Sequence, residues 1–181
     1  MFGTLRNLYL NSFLYDKKIS KSFDSSFEYK PSTYLLSSIV KIKTKKINID
    51  EFVLETVWRN ENLNKKEFKK LNNFFWIFSL DLKSSNSSVQ KVIENWIEVN
   101  QKYDPKSWEF DTTSKRIISW LSNSKLTYDE SSEQYKNNFN LIVQKQTFHL
   151  LNQIQNVNDY EYKLIGVSAI ILFSLSYTKQ Q

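Results

Sequence analysis

From Lys65 onward the apolar positions fall three and four residues apart. Phe68, Leu71, Phe74, Phe75, Phe78 and Leu82 follow the helical period. Trp76, Ile77 and Leu80 make the other face apolar as well, which predicts a helix buried nearly all round. The serine-rich Ser84–Ser88 stretch then supplies a loop and an N-cap. The next segment has the cleanest period of the chain. Val89, Val92, Ile93, Trp96 and Ile97 form one stripe, with Gln90, Lys91, Glu94, Asn95 and Glu98 off it. Asp104-Pro105 is a helix-start pair, because Asp accepts from orphan N–H groups and Pro has none to leave unsatisfied. A second start at Asp111-Thr112-Thr113 leads into a helix carrying Ile117, Trp120 and Leu121, which ends at SNSK. A long helix is predicted over about residues 131–155, with Tyr135, Phe139, Ile142, Val143, Gln146, Leu150 and Ile154 on one face. Asn156–Asp159 breaks it before a C-terminal helix.

The pattern is weaker upstream. Residues 4–15 show a loose helical period through Leu5, Leu8, Leu10, Phe13 and Leu14, whereas residues 19–62 are irregular. KSFDSSFEYKP alternates loosely, and IDEFVLETVW reads as a strand or a short helix. The resulting expectation is an all-α chain. An irregular N-terminal segment with one short helix covers residues 1–62, and antiparallel helical hairpins joined by short connections cover residues 63–181. Composition agrees. All-β folds need turn residues every ~8–12 positions, and two Gly and two Pro in 181 residues do not supply them. No internal repeat marks a known solenoid.

Other counts remove whole chemistries. There is no cysteine, hence no disulfide, thiolate nucleophile or cysteine-bound metal, and the compartment stays open. A single histidine, His149, excludes a multi-histidine metal site. Gly-rich phosphate loops, GxSxG and Walker lysines are missing, and no cofactor or metal is expected. The adjacent Asp129 and Glu130 point different ways, so nothing suggests two carboxyls converging on one bond. His149 borders an apolar helix face and reads either as a core histidine or as a general base. The charge of +6 fits an anionic partner or a lysine-rich composition alike. The lysines form no stripe, and the KIKTKK run at Lys41–Lys46 reads as a solvated edge or loop. No secretory signal is visible, because Arg6 interrupts the first apolar stretch and no small-residue cleavage site follows; periplasm and cytoplasm both stay open. Leu164–Tyr177 is the most hydrophobic segment. Its uncharged run, between Lys163 and Lys179, is shorter than the ~20 residues of a membrane span, so a buried helix is expected.

In DPKSWEFDTTSKRIISWLSN (Asp104–Asn123), Trp108 and Trp120 bracket Arg116. Arg116 and Trp120 are four apart on a helix, so the guanidinium can lie over the indole. One reading is a packing staple, with Trp108 closing over the first helical turns. The other is a site for an acidic sugar, whose ring stacks on an aromatic face while Arg pairs with its carboxylate or sulfate.

The ordered segments LNNFFWIFSLDLK (Leu71–Lys83), VIENWIEVNQ (Val92–Gln101) and the Trp108, Arg116, Ile117, Trp120, Leu121 signature resemble the N-terminal helical region of heparinase II/III-type polysaccharide lyases. Trp58 matches an upstream tryptophan of bacterial members, and the likeness covers about residues 58–178. The Asp111-Thr112-Thr113 spacer and the Phe78-Ser79 pair depart from the usual pattern. The resemblance implies the first arc of an incomplete α/α toroid, in an enzyme that cleaves uronic-acid polysaccharide by β-elimination. If this piece binds substrate, Trp108, Arg116 and Trp120 are the expected contacts. The family's catalytic Tyr and His lie further along than the matched part, so no catalytic residue is assigned, and His149 fits no catalytic motif. The chain is far shorter than such an enzyme and is expected to be an inactive N-terminal piece lacking later helices and a β-sandwich. Its partners would be that remainder and acidic polysaccharide, with no nucleic acid and no membrane span. The alternatives are a stand-alone helical interaction module and, behind it, a basic nucleic-acid-binding domain.

Overall fold

The computed structural model describes residues 2–21, 25–30, 58, 63–80 and 86–179. The Lys41–Lys46 run, nearly all of IDEFVLETVW, Leu82 and the Ser84-Ser85 cap lie outside the described residues. Among those described, eight α-helices make up most of the chain. They are α1 (Phe2–Leu10), α2 (Phe13–Ile19), α3 (Lys65–Asn72), α4 (Asn86–Val99), α5 (Phe110–Ser122), α6 (Ser124–Thr127), α7 (Glu133–Gln153) and α8 (Tyr160–Ser176). Two three-residue strands, β1 (Ser25–Phe27) and β2 (Tyr177–Lys179), pair antiparallel with Ser26 opposite Thr178.

Local chemistry accounts for the helix starts. The Asn64 side chain accepts from the Lys66 and Glu67 N–H groups, and Glu67 reaches back to the Asn64 N–H, a complete capping box for α3. Ser12, Ser132 and Asp159 cap α2, α7 and α8 by accepting from the third residue on. Asp104 accepts from the Lys106 and Ser107 N–H groups, but that start makes only a turn. The helix begins at Phe110, beside the second predicted start.

The helix predicted through Phe68–Leu82 is broken. α3 ends at Asn72, and a 3₁₀ segment runs from Phe75 to Ser79. Between them Phe74 adopts φ 58°, the left-handed region that a bulky side chain rarely visits. Asn73 sets the turn by accepting from the Phe75 N–H at 2.9 Å, and Ser119 Oγ donates to the Phe74 carbonyl at 2.6 Å. The turn places the Phe74 ring among four tryptophans: Trp58 and Trp76 at 5.4 Å, Trp120 at 5.1 Å and Trp96 at 6.1 Å between centroids. A left-handed residue costs roughly 1–3 kcal/mol. Burying a phenylalanine in an aromatic cluster returns more, since truncating such a ring typically loses about 3–5 kcal/mol.

The core lies between α3, α4, α5 and α7. The α4 stripe of Val89, Val92, Ile93, Trp96 and Ile97 is buried, as are Tyr135, Phe139, Ile142, Val143 and Leu150 of α7. α8 packs along α5. Their close approach depends on Gly166, where a Cβ would sit 2.3 Å from Cζ of Phe110. The N-terminal part has two short helices where one was expected, and it is fastened to the rest. α2 packs on α7, Asp16 pairs with Lys145 at 2.7 Å, and the Tyr29 and Glu28 N–H groups reach the Ser176 carbonyl. The most hydrophobic segment is only half covered. α8 buries Gly166, Ala169 and Phe173 while Leu164, Val167, Ile171 and Leu175 face outward.

Candidate functional site

Arg116, Trp108 and Trp120 have no exposed surface, each at 0%. The guanidinium lies over Trp96, 4.0 Å from its centroid, and not over Trp120 as the helical spacing suggests. Its donors are directed to four places. Nη1 donates to the Asn72 carbonyl at 2.8 Å and the Ser107 carbonyl at 3.0 Å, Nε to Gln146 Oε1 at 3.0 Å, and Nη2 to Thr113 Oγ1 at 3.2 Å. The Asn72 carbonyl is the last of α3, one of the acceptors that a helix C-terminus leaves open and where its dipole favours a cation. Among the described residues no carboxylate pairs with Arg116, and burial pulls it well below its ordinary range. Carbonyl dipoles and an indole face therefore take the place of a counter-ion.

The tryptophans have separate tasks. Trp96 Nε1 donates to Asn72 Oδ1 at 2.8 Å, and Trp108 Nε1 to the Asn100 carbonyl at 3.1 Å, which closes the end of α4. Trp120 stands edge-on to Trp96 at 5.5 Å, and its own N–H has no hydrogen-bond partner among the described residues. Sequence spacing brought Arg116 and Trp120 onto one helix. It gave no sign that Trp96, twenty residues earlier, would be the stacking partner. As folded, the expected sugar contacts are sealed: a saccharide reaches none of the three without opening the core, because each ring and the guanidinium are covered by neighbouring elements.

His149 is also interior. The Tyr15 hydroxyl and His149 Nδ1 are 2.7 Å apart. Gln153 Nε2 donates to the same hydroxyl at 3.3 Å, which leaves the Tyr15 proton for the histidine. Burial, helped by the Arg116 and Arg6 charges and opposed by a hydrogen bond to the Trp108 backbone, holds His149 down at about 4. Burial likewise pushes Tyr15 up to about 12. The pair is neutral near pH 7 and closed to solvent, so it joins α2 to α7 rather than presenting a base.

A surface cleft of about 680 Å³ runs between α3, the end of α4 and the Asp104–Glu109 turn. The sequence reading did not foresee it, because its walls come from Trp58, from residues 63–69 and from residues 99–109, which no periodicity connects. Among the described residues no group of three metal-ligating side chains forms, and no helix is long and apolar enough to cross a membrane. Comparison of the chain with family models, curated proteins and solved structures finds no match.

Proposed function

We propose that this chain forms the opening helical arc of an acidic-polysaccharide lyase of the heparinase II/III type. One observation carries the reading. The ordered residues behind the resemblance, Trp96, Trp108, Arg116, Ile117, Trp120 and Leu121, are all buried in one core that links α3, α4, α5 and α7. A motif that builds such a node is what a wall of helical hairpins requires, since each hairpin is held by its neighbours. The outward apolar face of α8 supports the same reading, because a following hairpin would cover it. In such an enzyme this part holds the polymer and shapes the wall, and the elimination chemistry belongs to other residues.

Electrophoresis through gels containing polysaccharide tests this. Retardation by a uronic-acid polymer and not by a neutral polymer of the same length is the expected result, with no unsaturated product formed by this chain. Equal mobility in every gel removes the lyase reading. A second reading, a helical interaction module, is favoured by Leu164, Val167, Ile171 and Leu175 alone. It predicts capture of a partner helix with no polysaccharide dependence.

A further inference from the structure

Helices α1 and α2 are fastened to the body by polar contacts, while five of their large apolar side chains face away from it. Arg6 donates to Gln153 Oε1, the Tyr15 hydroxyl meets His149, and Asp16 pairs with Lys145. The buried side of α2 consists of Tyr15 and Ile19, four residues apart. Phe13 and Leu14 lie on its far side, 76% and 70% exposed. On α1, Leu5, Leu8 and Tyr9 share one side at spacings of three and four, and all three are exposed. Large apolar groups left in water along two consecutive helices mark an interaction surface.

Charge decides what covers it. Residues 2–21 contain four basic side chains, Arg6, Lys17, Lys18 and Lys21, against the single carboxylate of Asp16, which is committed to Lys145 on α7. Lys17 and Lys18 are exposed beside Phe13 and Leu14, and neither pairs with a carboxylate among the described residues. Apolar groups that sink below a headgroup layer, with cations that reach back to it, are the two parts of an interfacial amphipathic element. Lysine suits that task, because its apolar stem can be buried while the ammonium stays at the charged layer. Such cations gain from a negatively charged leaflet. At nine and seven residues, neither helix approaches the ~20 residues of a span, so the contact lies along the surface. The outer face of α8 makes the contrast: from Leu164 to Ser176 it has no charged residue, and nothing on it favours a lipid over a protein. A second copy seated face to face on α1 and α2 would bring like charges together, and a nucleic acid would leave the leucines and Phe13 in water.

We infer that the outward face of α1 and α2, built from Leu5, Leu8, Phe13, Leu14, Lys17 and Lys18, docks on an anionic lipid surface. The face uses no residue of the Arg116 core, so it goes beyond the polysaccharide reading and does not depend on it. The experiment is flotation of the full chain with vesicles of phosphatidylcholine alone and of equal parts phosphatidylcholine and phosphatidylglycerol. The expected result is binding to the anionic vesicles about tenfold tighter than to the neutral ones, weakening as salt is raised. Phe13→Ser/Leu14→Ser and Lys17→Gln/Lys18→Gln each weaken it about tenfold. All four side chains are exposed, so both variants keep a cooperative melting transition. Lys65→Gln/Lys66→Gln on α3 makes the same change in net charge and keeps wild-type affinity. Equal binding to both kinds of vesicle overturns the anionic assignment, and equal loss in the two lysine variants overturns the placement on α2. Absence of binding, or anionic binding indifferent to Phe13→Ser/Leu14→Ser, removes the lipid surface. Self-association in sedimentation that Phe13→Ser/Leu14→Ser abolishes, with no vesicle bound, gives the face to a second copy instead. Single-stranded DNA bound as tightly as the anionic vesicles, with loss only in the Lys17/Lys18 variant, gives the lysines to nucleic acid and overturns the proposal.

Discussion

Helices α5 and α8 pack against each other and invert the usual relation between polarity and burial. α5 is rich in polar groups, yet Asp111, Thr112, Thr113, Ser114, Arg116, Ser119 and Ser122 are all buried. α8 is the more apolar, yet Leu164 is 67% exposed, Ile171 54% and Leu175 58%. The difference shows that a helix's composition does not decide its depth. α5 sits inside because most of its polar groups find partners. Ser119 donates to the Phe74 carbonyl and Ser114 to the Phe110 carbonyl, the Asp111 carboxylate accepts from the Lys115 ammonium, and Arg116 serves two backbone carbonyls. α8 sits outside because only its Gly166, Ala169 and Phe173 face meets a neighbour.

If that account of α5 is right, Arg116→Ala gives the largest effect. It leaves the Asn72 and Ser107 carbonyls and Gln146 Oε1 without their donor, and the expected loss is about 3–5 kcal/mol in denaturant unfolding. Arg116→Lys recovers only part, because an ammonium cannot reproduce the fork. Full stability in either variant would make the buried polar helix incidental.

Acid gives the next effect. His149 is held at about 4 when folded against an ordinary 6.5, so the unfolded chain takes up its proton first. Its contribution is fully present above pH 6.5 and is lost as pH falls from there toward 4. The loss is on the order of 3 kcal/mol at the bottom of that window. Melting temperatures between pH 7.5 and 4.5 check this, and His149→Gln should flatten the profile.

Gly166→Ala tests the contact between the two helices. The added Cβ lies 2.3 Å from Phe110 Cζ, so the half-buried ring or α8 must shift, at about 1–2 kcal/mol. Phe110→Leu in the same chain should return part of that, as a double-mutant cycle would report. The smallest change belongs to the outer face. Ile171→Ser with Leu175→Ser should alter stability by no more than about 0.5 kcal/mol each, while lowering self-association in sedimentation. A loss of several kcal/mol there would mean that α8 is covered.

Much of the fold was legible along the chain. The α4 stripe is buried where its period placed it, α7 at Glu133–Gln153 falls within the predicted 131–155, and the predicted break at Asn156–Asp159 precedes α8 at Tyr160. These features depend on groups a few residues apart, namely caps, breakers and the helical repeat. The candidate site was much less legible. Trp108, Arg116 and Trp120 stood out by type, but the chain offered no means of telling a sealed cation from an exposed one. The surface cleft between α3 and the Asp104–Glu109 turn unites residues some forty positions apart.

What the sequence determined by itself is the helical character of most described residues from 63 onward, the stripes that α4 and α7 bury, and the exclusion of cysteine and multi-histidine chemistry. Tertiary structure decided that Phe74 turns left-handed, that Arg116 rests on Trp96 and caps α3, and that the oiliest helix keeps one side in water. The physical reason is range. A helix is closed by hydrogen bonds four residues apart, whereas burial is conferred by whichever surfaces arrive from elsewhere, and those arrivals follow no local period.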